Sequence, residues 1–345
     1  MSTEVAAYSP PGTDADTIVS ARVLERIAAS VPDSTRRAYA GDWERFTAWC
    51  AATGRTALPC TAETLAEYSS AMADLGKAPA SIMRAMTSIR VVHKLGGHYP
   101  PDTLPARAVV KTYRNERADR GEPNERPAAP LSVRQLKTAA EAADTERVIG
   151  LRDRLILVLG WAMMARRGEL ARLNIGDVTE VEQGLDVIVR KAKADQMAVG
   201  RKVAVPYGSD PTTCPVRLLR AWLAVLAARG ITSGPLFRRI DRHGHIGGDP
   251  AAPQAGKPTA SDDGRLEGSS IRMIVKRAAL NAGLPGQGIK AHSLRAGGAT
   301  GAYLGGADLL SIGRHGGWLD GSPVLTRYIR DVDRWKKNPM HGAGL

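Results

Sequence analysis

The chain has 345 residues, 48 Lys and Arg against 35 Asp and Glu, and a formal charge of +13. At roughly 100–200 residues per domain this length suggests two domains, and such a charge excess asks for a polyanionic partner, nucleic acid ahead of an acidic membrane surface. No stretch approaches the ~18 apolar residues of a membrane span, the N-terminus lacks the basic start and apolar core of a secretory signal, and the three cysteines, Cys50, Cys60 and Cys214, have neither metal-type spacing nor an even count for a disulfide framework, which points to a reducing, cytoplasmic setting.

In chain order, residues 1–20 read as a disordered arm. The segment 33–54 predicts a helix, with Asp33 or Ser34 as its cap and Gly54 as its stop. Tyr39, Trp43, Phe46 and Cys50 fall on one face of it and are expected in the core. A second helix is expected over about 61–75. A third, over 80–97, turns Ile82, Met86, Ile89 and Val92 inward, and a fourth follows Pro105. Residues 21–115 therefore read as a small all-helical domain. The stretch 116–132 is charged, proline-bearing and without apolar periodicity, a linker composition. The remainder, 133–345, opens with a strongly apolar helix, "LRDRLILVLGWAMMA". "LDVIVRKA" and "RKVAVPY" then alternate and are β-branched, which predicts a β-hairpin with "KADQMAVG" at its turn. A helix at 215–229, a Gly- and Pro-rich loop at 243–266 and helices over most of 268–335 complete the reading. The fold class is mainly α, in two domains, the second mixed α/β with a small antiparallel sheet.

Four separated pieces carry groups suited to chemistry: "ARRGEL" with Arg166 and Glu169, "KAKADQ" with Lys191 and Lys193, "HSLR" with His292 and Arg295, and "GGWLDGSPVLTRYIR" with Trp318 and Tyr328. Each alone has an ordinary explanation: a helix salt bridge, solvated hairpin lysines, a surface pair, a packed aromatic. Together they suit a phosphodiester. Two Arg forks match its non-bridging oxygens. His292, one helical turn from Arg295, projects from the same face. A lysine on a turn is a mobile proton donor for a leaving alkoxide. A tyrosine, with a free pKa of about 10, becomes a competent nucleophile when held in line with a neutralised phosphate. The small residues after Arg295, "AGGATGAYLGG", let the next helix lie close beneath such a site.

The order Arg, Lys, His-x-x-Arg, Trp, Tyr resembles the tyrosine recombinase (phage integrase) family over nearly the whole chain, and within it the Cre-like enzymes, which carry Trp rather than His before the nucleophile. The resemblance implies a helical SAM-like core-binding domain, a linker and a catalytic domain. It implies Arg166 as first catalytic arginine with Glu169 supporting it, Lys193 as general acid, His292, Arg295 and Trp318 as phosphate ligands, and Tyr328 as nucleophile. The chain departs from the family pattern at several points. Met164 and Ala165 replace the Gly and Leu before the first arginine, and Ala194 replaces a Thr, leaving Lys191 as competitor of Lys193. The Trp-to-Tyr interval is one residue longer, which leaves His315 as substitute donor, and Tyr303 is a rival nucleophile.

The implied activity is site-specific DNA recombination through a 3′-phosphotyrosyl link, with no metal, ATP or other cofactor. The implied partners are double-stranded DNA bearing an inverted repeat and three further copies of the chain, a homotetramer of two dimers in the synaptic complex. No membrane partner is implied, and the setting is cytoplasmic, on the nucleoid. By the same analogy the tail 331–345 is a candidate for docking on a neighbouring protomer. The alternatives are a catalytically silent DNA-binding relative and a strand relaxer like the type IB topoisomerases.

Overall fold

The computed structural model describes residues 20, 22, 25, 26, 30–124, 128–190, 200–251, 263–284, 288–336 and 338–343. The expected N-terminal arm up to residue 19, the turn with Lys191 and Lys193, and the middle of the 243–266 loop lie outside them. The chain divides into two compact units, Met1–Arg126 and Pro127–Leu345.

The described part of the first unit is built on four helices, α1 (Asp33–Thr53), α2 (Ala62–Asp74), α3 (Pro79–Leu95) and α4 (Leu104–Asp119). Helix α1 packs on α3, and α2 on α4. Phe46 and Cys50 of the apolar stripe are buried with Leu65, Ile82, Met86 and Ile89, while Tyr39 and Trp43 are half-buried. Asp42 and His93 join this core unannounced by the apolar pattern. Asp42 sits there because Arg84 grips it with two hydrogen bonds (2.8 and 2.9 Å) and Ser88 donates a third (3.0 Å). Burial opposes its ionisation, yet the bonds from Arg84, Arg45 and Ser88 win and hold its pKa below the usual aspartate value. On α3 it is His93, not Val92, that is fully buried, because Nε2 accepts from the Cys60 N–H (2.9 Å) and Nδ1 donates to the Ile89 carbonyl (2.7 Å).

Helix α1 ends at Gly54 in the left-handed conformation, as expected. Its N-cap, however, is Pro32 without a side-chain hydrogen bond, in place of Asp33 or Ser34. Helix α4 runs on to Asp119, into the stretch whose charge reads as linker. The three cysteines are free and buried, and burial pushes the Cys60 thiol up to about 12.

The second unit begins with α5 (Val133–Glu141), started by a capping box between Ser132 and Gln135. Helix α6 (Val148–Ala162) is apolar nearly all round and correspondingly buried nearly all round. A short helix α7 (Arg167–Arg172) leads into an antiparallel sheet of β1 (Val178–Val181), β2 (Gly184–Val189) and β3 (Arg201–Pro206) in that order. The expected hairpin is β2–β3, with Leu185 opposite Val205, Val187 opposite Val203 and Val189 opposite Arg201. Strand β1 is the addition; its middle residues, Thr179 and Glu180, are exposed, so it lacks an apolar run.

Helix α8 (Pro215–Ala227) packs on α6 and contributes Trp222, fully buried with its indole N–H on the Leu236 carbonyl (2.8 Å). Helices α9 (Gly268–Asn281), α10 (His292–Leu304), α11 (Leu309–Gly316) and α12 (Pro323–Lys336) follow. The small residues of α10 let it lie against Trp161 at the end of α6. A Cβ on Gly297 would stand 2.1 Å from the Leu131 carbonyl oxygen, one on Gly298 2.3 Å from that of Trp161, and one on Gly301 2.6 Å from the Trp161 ring. Among the described residues no helix is long and apolar enough to cross a membrane.

Candidate active site

Where α6 ends, the chain turns through Met164, which holds φ of +49°, the one positive value at a non-glycine position among the described residues. A side chain there costs on the order of 1–2 kcal/mol in local strain, and burial of Met164 in an apolar cluster with Ile312, Trp318 and Ile329 offsets it. The turn delivers Arg166 to the N-cap of α7, between two helices rather than at the end of the apolar one. Its backbone N–H donates to Glu169 Oε2 (3.1 Å) and its Nη1 to Glu169 Oε1 (2.7 Å). Glu169 is 2% exposed at its side chain and receives a second guanidinium, Arg201 Nη2 on Oε2 at 3.2 Å. Burial disfavours its charge, but the Arg201 charge and the Arg166 hydrogen bonds outweigh burial and hold the carboxyl below the usual glutamate range.

Arg295 lies on the first turn of α10 and is 3% exposed. Its Nη1 donates to the carbonyls of Met164 (2.6 Å) and Gly316 (2.7 Å). Its guanidinium carbon stands 3.5 Å from the centre of the Trp318 ring, a cation–π contact. Nη2 is buried without a hydrogen-bond partner among the described residues. Burial, followed by the Arg166 charge, pulls this guanidinium's pKa down to about 9. The neighbourhood thus sets three guanidiniums, Arg166, Arg201 and Arg295, against one carboxylate. An anion here relieves their repulsion and partners the orphaned donor.

Arg166, His292, Arg295, Trp318 and Tyr328 line one cleft of about 390 Å³ together with residues 319–324. His292 is exposed at the start of α10, Tyr328 half-buried on α12. Trp318 meets Tyr328 edge to face at 6.2 Å. The indole comes in over Gly316, where a Cβ would stand 1.9 Å from its ring. Residues 319–322 connect Trp318 to α12.

Of the residues singled out in the sequence, Arg166, His292, Arg295, Trp318 and Tyr328 are brought together, with Glu169 directly behind Arg166. Lys193 and its competitor Lys191 lie outside the described residues. His315 faces away from the cleft, its Nε2 on the Ala162 carbonyl (2.8 Å). Tyr303 packs against the apolar cluster beneath and does not line the cleft. The residue that motif reasoning passed over is Arg201. Its signal was a charge in register with Val203 and Val205 on the buried face of β3. Among the described residues no group of three His, Cys, Asp or Glu side chains is placed to hold a metal ion.

The model of the phage integrase family matches residues 130–334. An integrase/recombinase xerD homolog of Selenomonas ruminantium is 32% identical over 327 residues, 94% of this chain and 89% of that protein. The recombinase cre of Escherichia phage P1 is 24% identical over 294 residues, 84% of this chain and 81% of that one. Among solved structures, a lambda integrase (75–356) dimer bound to a COC' core site superposes with a TM-score of 0.56 at 18% identity, covering 90% of this chain and 94% of its own. A lambda integrase tetramer bound to a Holliday junction superposes with a TM-score of 0.52 at 16% identity, covering 88% of this chain and 74% of its own.

Proposed function

The chain belongs to the phage integrase family of tyrosine recombinases, and from that premise we propose that it is a site-specific DNA recombinase whose cleft cleaves and rejoins one phosphodiester at a time. The observation that carries the reading is the convergence of Arg166 and Arg295, 129 positions apart in sequence, on one cleft that also holds His292, Trp318 and Tyr328.

In this mechanism the scissile phosphate occupies the cleft. Arg166, Arg295 and His292 donate to its non-bridging oxygens, and Trp318 holds the Arg295 plane and closes the wall. Their charge and hydrogen bonds stabilise the five-coordinate transition state, where negative charge on those oxygens is greatest. The Tyr328 oxygen attacks phosphorus; its O–P bond forms as the P–O5′ bond breaks, and the phenol's proton passes to water. Lys193 supplies a proton to the departing 5′ oxygen. The product is a 3′-phosphotyrosyl link and a free 5′-hydroxyl. Attack by a 5′-hydroxyl from a partner strand reverses the step, so the bond energy is conserved without nucleotide hydrolysis.

The first unit serves in this reading as a DNA-binding domain, and the +13 charge suits a duplex. Exchange between two sites calls for four copies of the chain, in keeping with the tetramer of lambda integrase on a Holliday junction. The test begins with selection of bound sequences from a random duplex library. A nicked duplex built on the selected inverted repeat then traps the reaction, because the cleaved fragment diffuses away. The expected result is a covalent protein–DNA adduct on the selected site only. No adduct leaves a DNA-binding protein without the activity, and relaxation of supercoiled plasmid lacking the site indicates a topoisomerase.

A further inference from the structure

Arg201 is the one member of the arginine cluster that has no place in the proposed reaction and does not line the cleft. Its side chain is 14% exposed. One arm of the guanidinium, Nη2, reaches Glu169 at 3.2 Å, and Nε donates to the His315 carbonyl at 3.3 Å. Its stem and guanidinium lie against Gly317, where a Cβ would come to 3.0–3.1 Å from Arg201 Nη1, Cδ and Cζ. Gly317 carries φ of +67° and directly precedes Trp318.

We propose that Arg201 is a positioning residue for strand cleavage: from the first position of β3 it clamps the Glu169–Arg166 pair and the 315–317 backbone into one frame. The inference rests on the strand-cleavage reading above and extends it. Two supports meet at this side chain. Glu169 orients Arg166 through both of its oxygens, and Arg201 is the second cation on that carboxylate, bound at Oε2. The Gly316 carbonyl orients Arg295, and Arg201 holds the adjoining His315 carbonyl. Both cleft arginines therefore depend on one guanidinium that touches neither. An Arg suits the place because its planar fork reaches two diverging acceptors at once, which an ammonium does less well.

The clamp predicts coupling rather than a simple loss of stability. Single-turnover cleavage is measured on the nicked selected duplex with a 5′-bridging sulfur leaving group, so that slow variants stay measurable. Arg201→Gln is expected to keep DNA affinity within about twofold and to cleave about 10–100-fold more slowly, the scale of small misplacements of reacting groups. In an Arg166→Ala background part of that factor should vanish, because one of the two groups being positioned is gone. Arg201→Lys should melt like wild type and recover part of the rate. Wild-type cleavage by Arg201→Gln, or the full factor persisting in the Arg166→Ala background, overturns the proposal. A lowered melting temperature with unchanged cleavage below the transition does so as well. Absence of any adduct from wild type would instead overturn the strand-cleavage reading, and this role with it.

Discussion

Arg295 commits both hydrogens of Nη1 to backbone carbonyls and rests its plane on Trp318, so its orientation is set before any ligand arrives. Such preorganisation is what makes a buried cation effective towards a developing charge. His315 does related work on the adjoining turn, tying the segment that leads to Trp318 to the end of α6 through the Ala162 carbonyl. Burial is the main cause that pushes its imidazole pKa below 6.5. A base whose folded pKa is depressed takes up more protons unfolded than folded in that range. Its contribution to stability is therefore full above about pH 6.5 and declines as pH falls through that value. Between pH 7.5 and 5.5 the melting temperature should fall, and His315→Gln should flatten the part due to this residue; equal pH slopes in both proteins would refute it. At this scale the sequence was informative wherever a residue belonged to a spaced motif, as Arg166, Glu169, Arg295, Trp318 and Tyr328 do. Arg201 belongs to none. Its partners Glu169 and His315 are far away in the chain, and only the pairing of β2 with β3 brings it to them.

At the level of elements, the glycines of α10 explain how the site is assembled. The helix that presents His292 and Arg295 must approach Trp161 and the Leu131 carbonyl closely, and Gly297 sits where the gap is smallest. Gly297→Ala should cost about 1–3 kcal/mol, as overpacking of a filled core does, because the new methyl also disturbs the Trp161 indole bond to Leu131 (2.9 Å). Gly41→Ala is the contrast. It lies mid-helix in α1, where a Cβ meets only the movable Arg45 head at 3.5 Å, so it should stabilise by about 0.5–1 kcal/mol. Urea unfolding midpoints read both signs, and a destabilised Gly41→Ala or a neutral Gly297→Ala would contradict the packing described. The stripe of small residues was legible as close packing beneath a site; its partner, Trp161, was not, since nothing local pairs positions 161 and 297. The helices of the first unit followed from apolar spacing. The burial of Asp42 and His93 did not, because each depends on partners from other parts of the chain. Strand β1 was missed because one strand of an edge hairpin can expose its middle residues and still keep its register.

For the molecule as a whole, charge is the property that sequence states most openly. A +13 chain that grips duplex DNA through phosphates releases counterions, so its affinity should drop steeply with salt. With 6–10 phosphate contacts, the dissociation constant for the selected duplex should rise by about 10³–10⁵-fold between 50 and 200 mM salt; a nearly flat dependence would point to a different kind of partner. What no local pattern contained was the cleft, which gathers side chains from the start of α7, α10, the loop after α11, and α12. The account stands on that gathering having one purpose, attack by Tyr328 on the phosphate held by Arg166 and Arg295. Proteolysis of the trapped adduct, with mass spectrometry of the DNA-bearing peptide, tests it most directly. The account predicts the nucleotide on Tyr328 and an adduct abolished in Tyr328→Phe but retained in Tyr303→Phe; DNA attached to Tyr303, or an undiminished adduct in Tyr328→Phe, would contradict it.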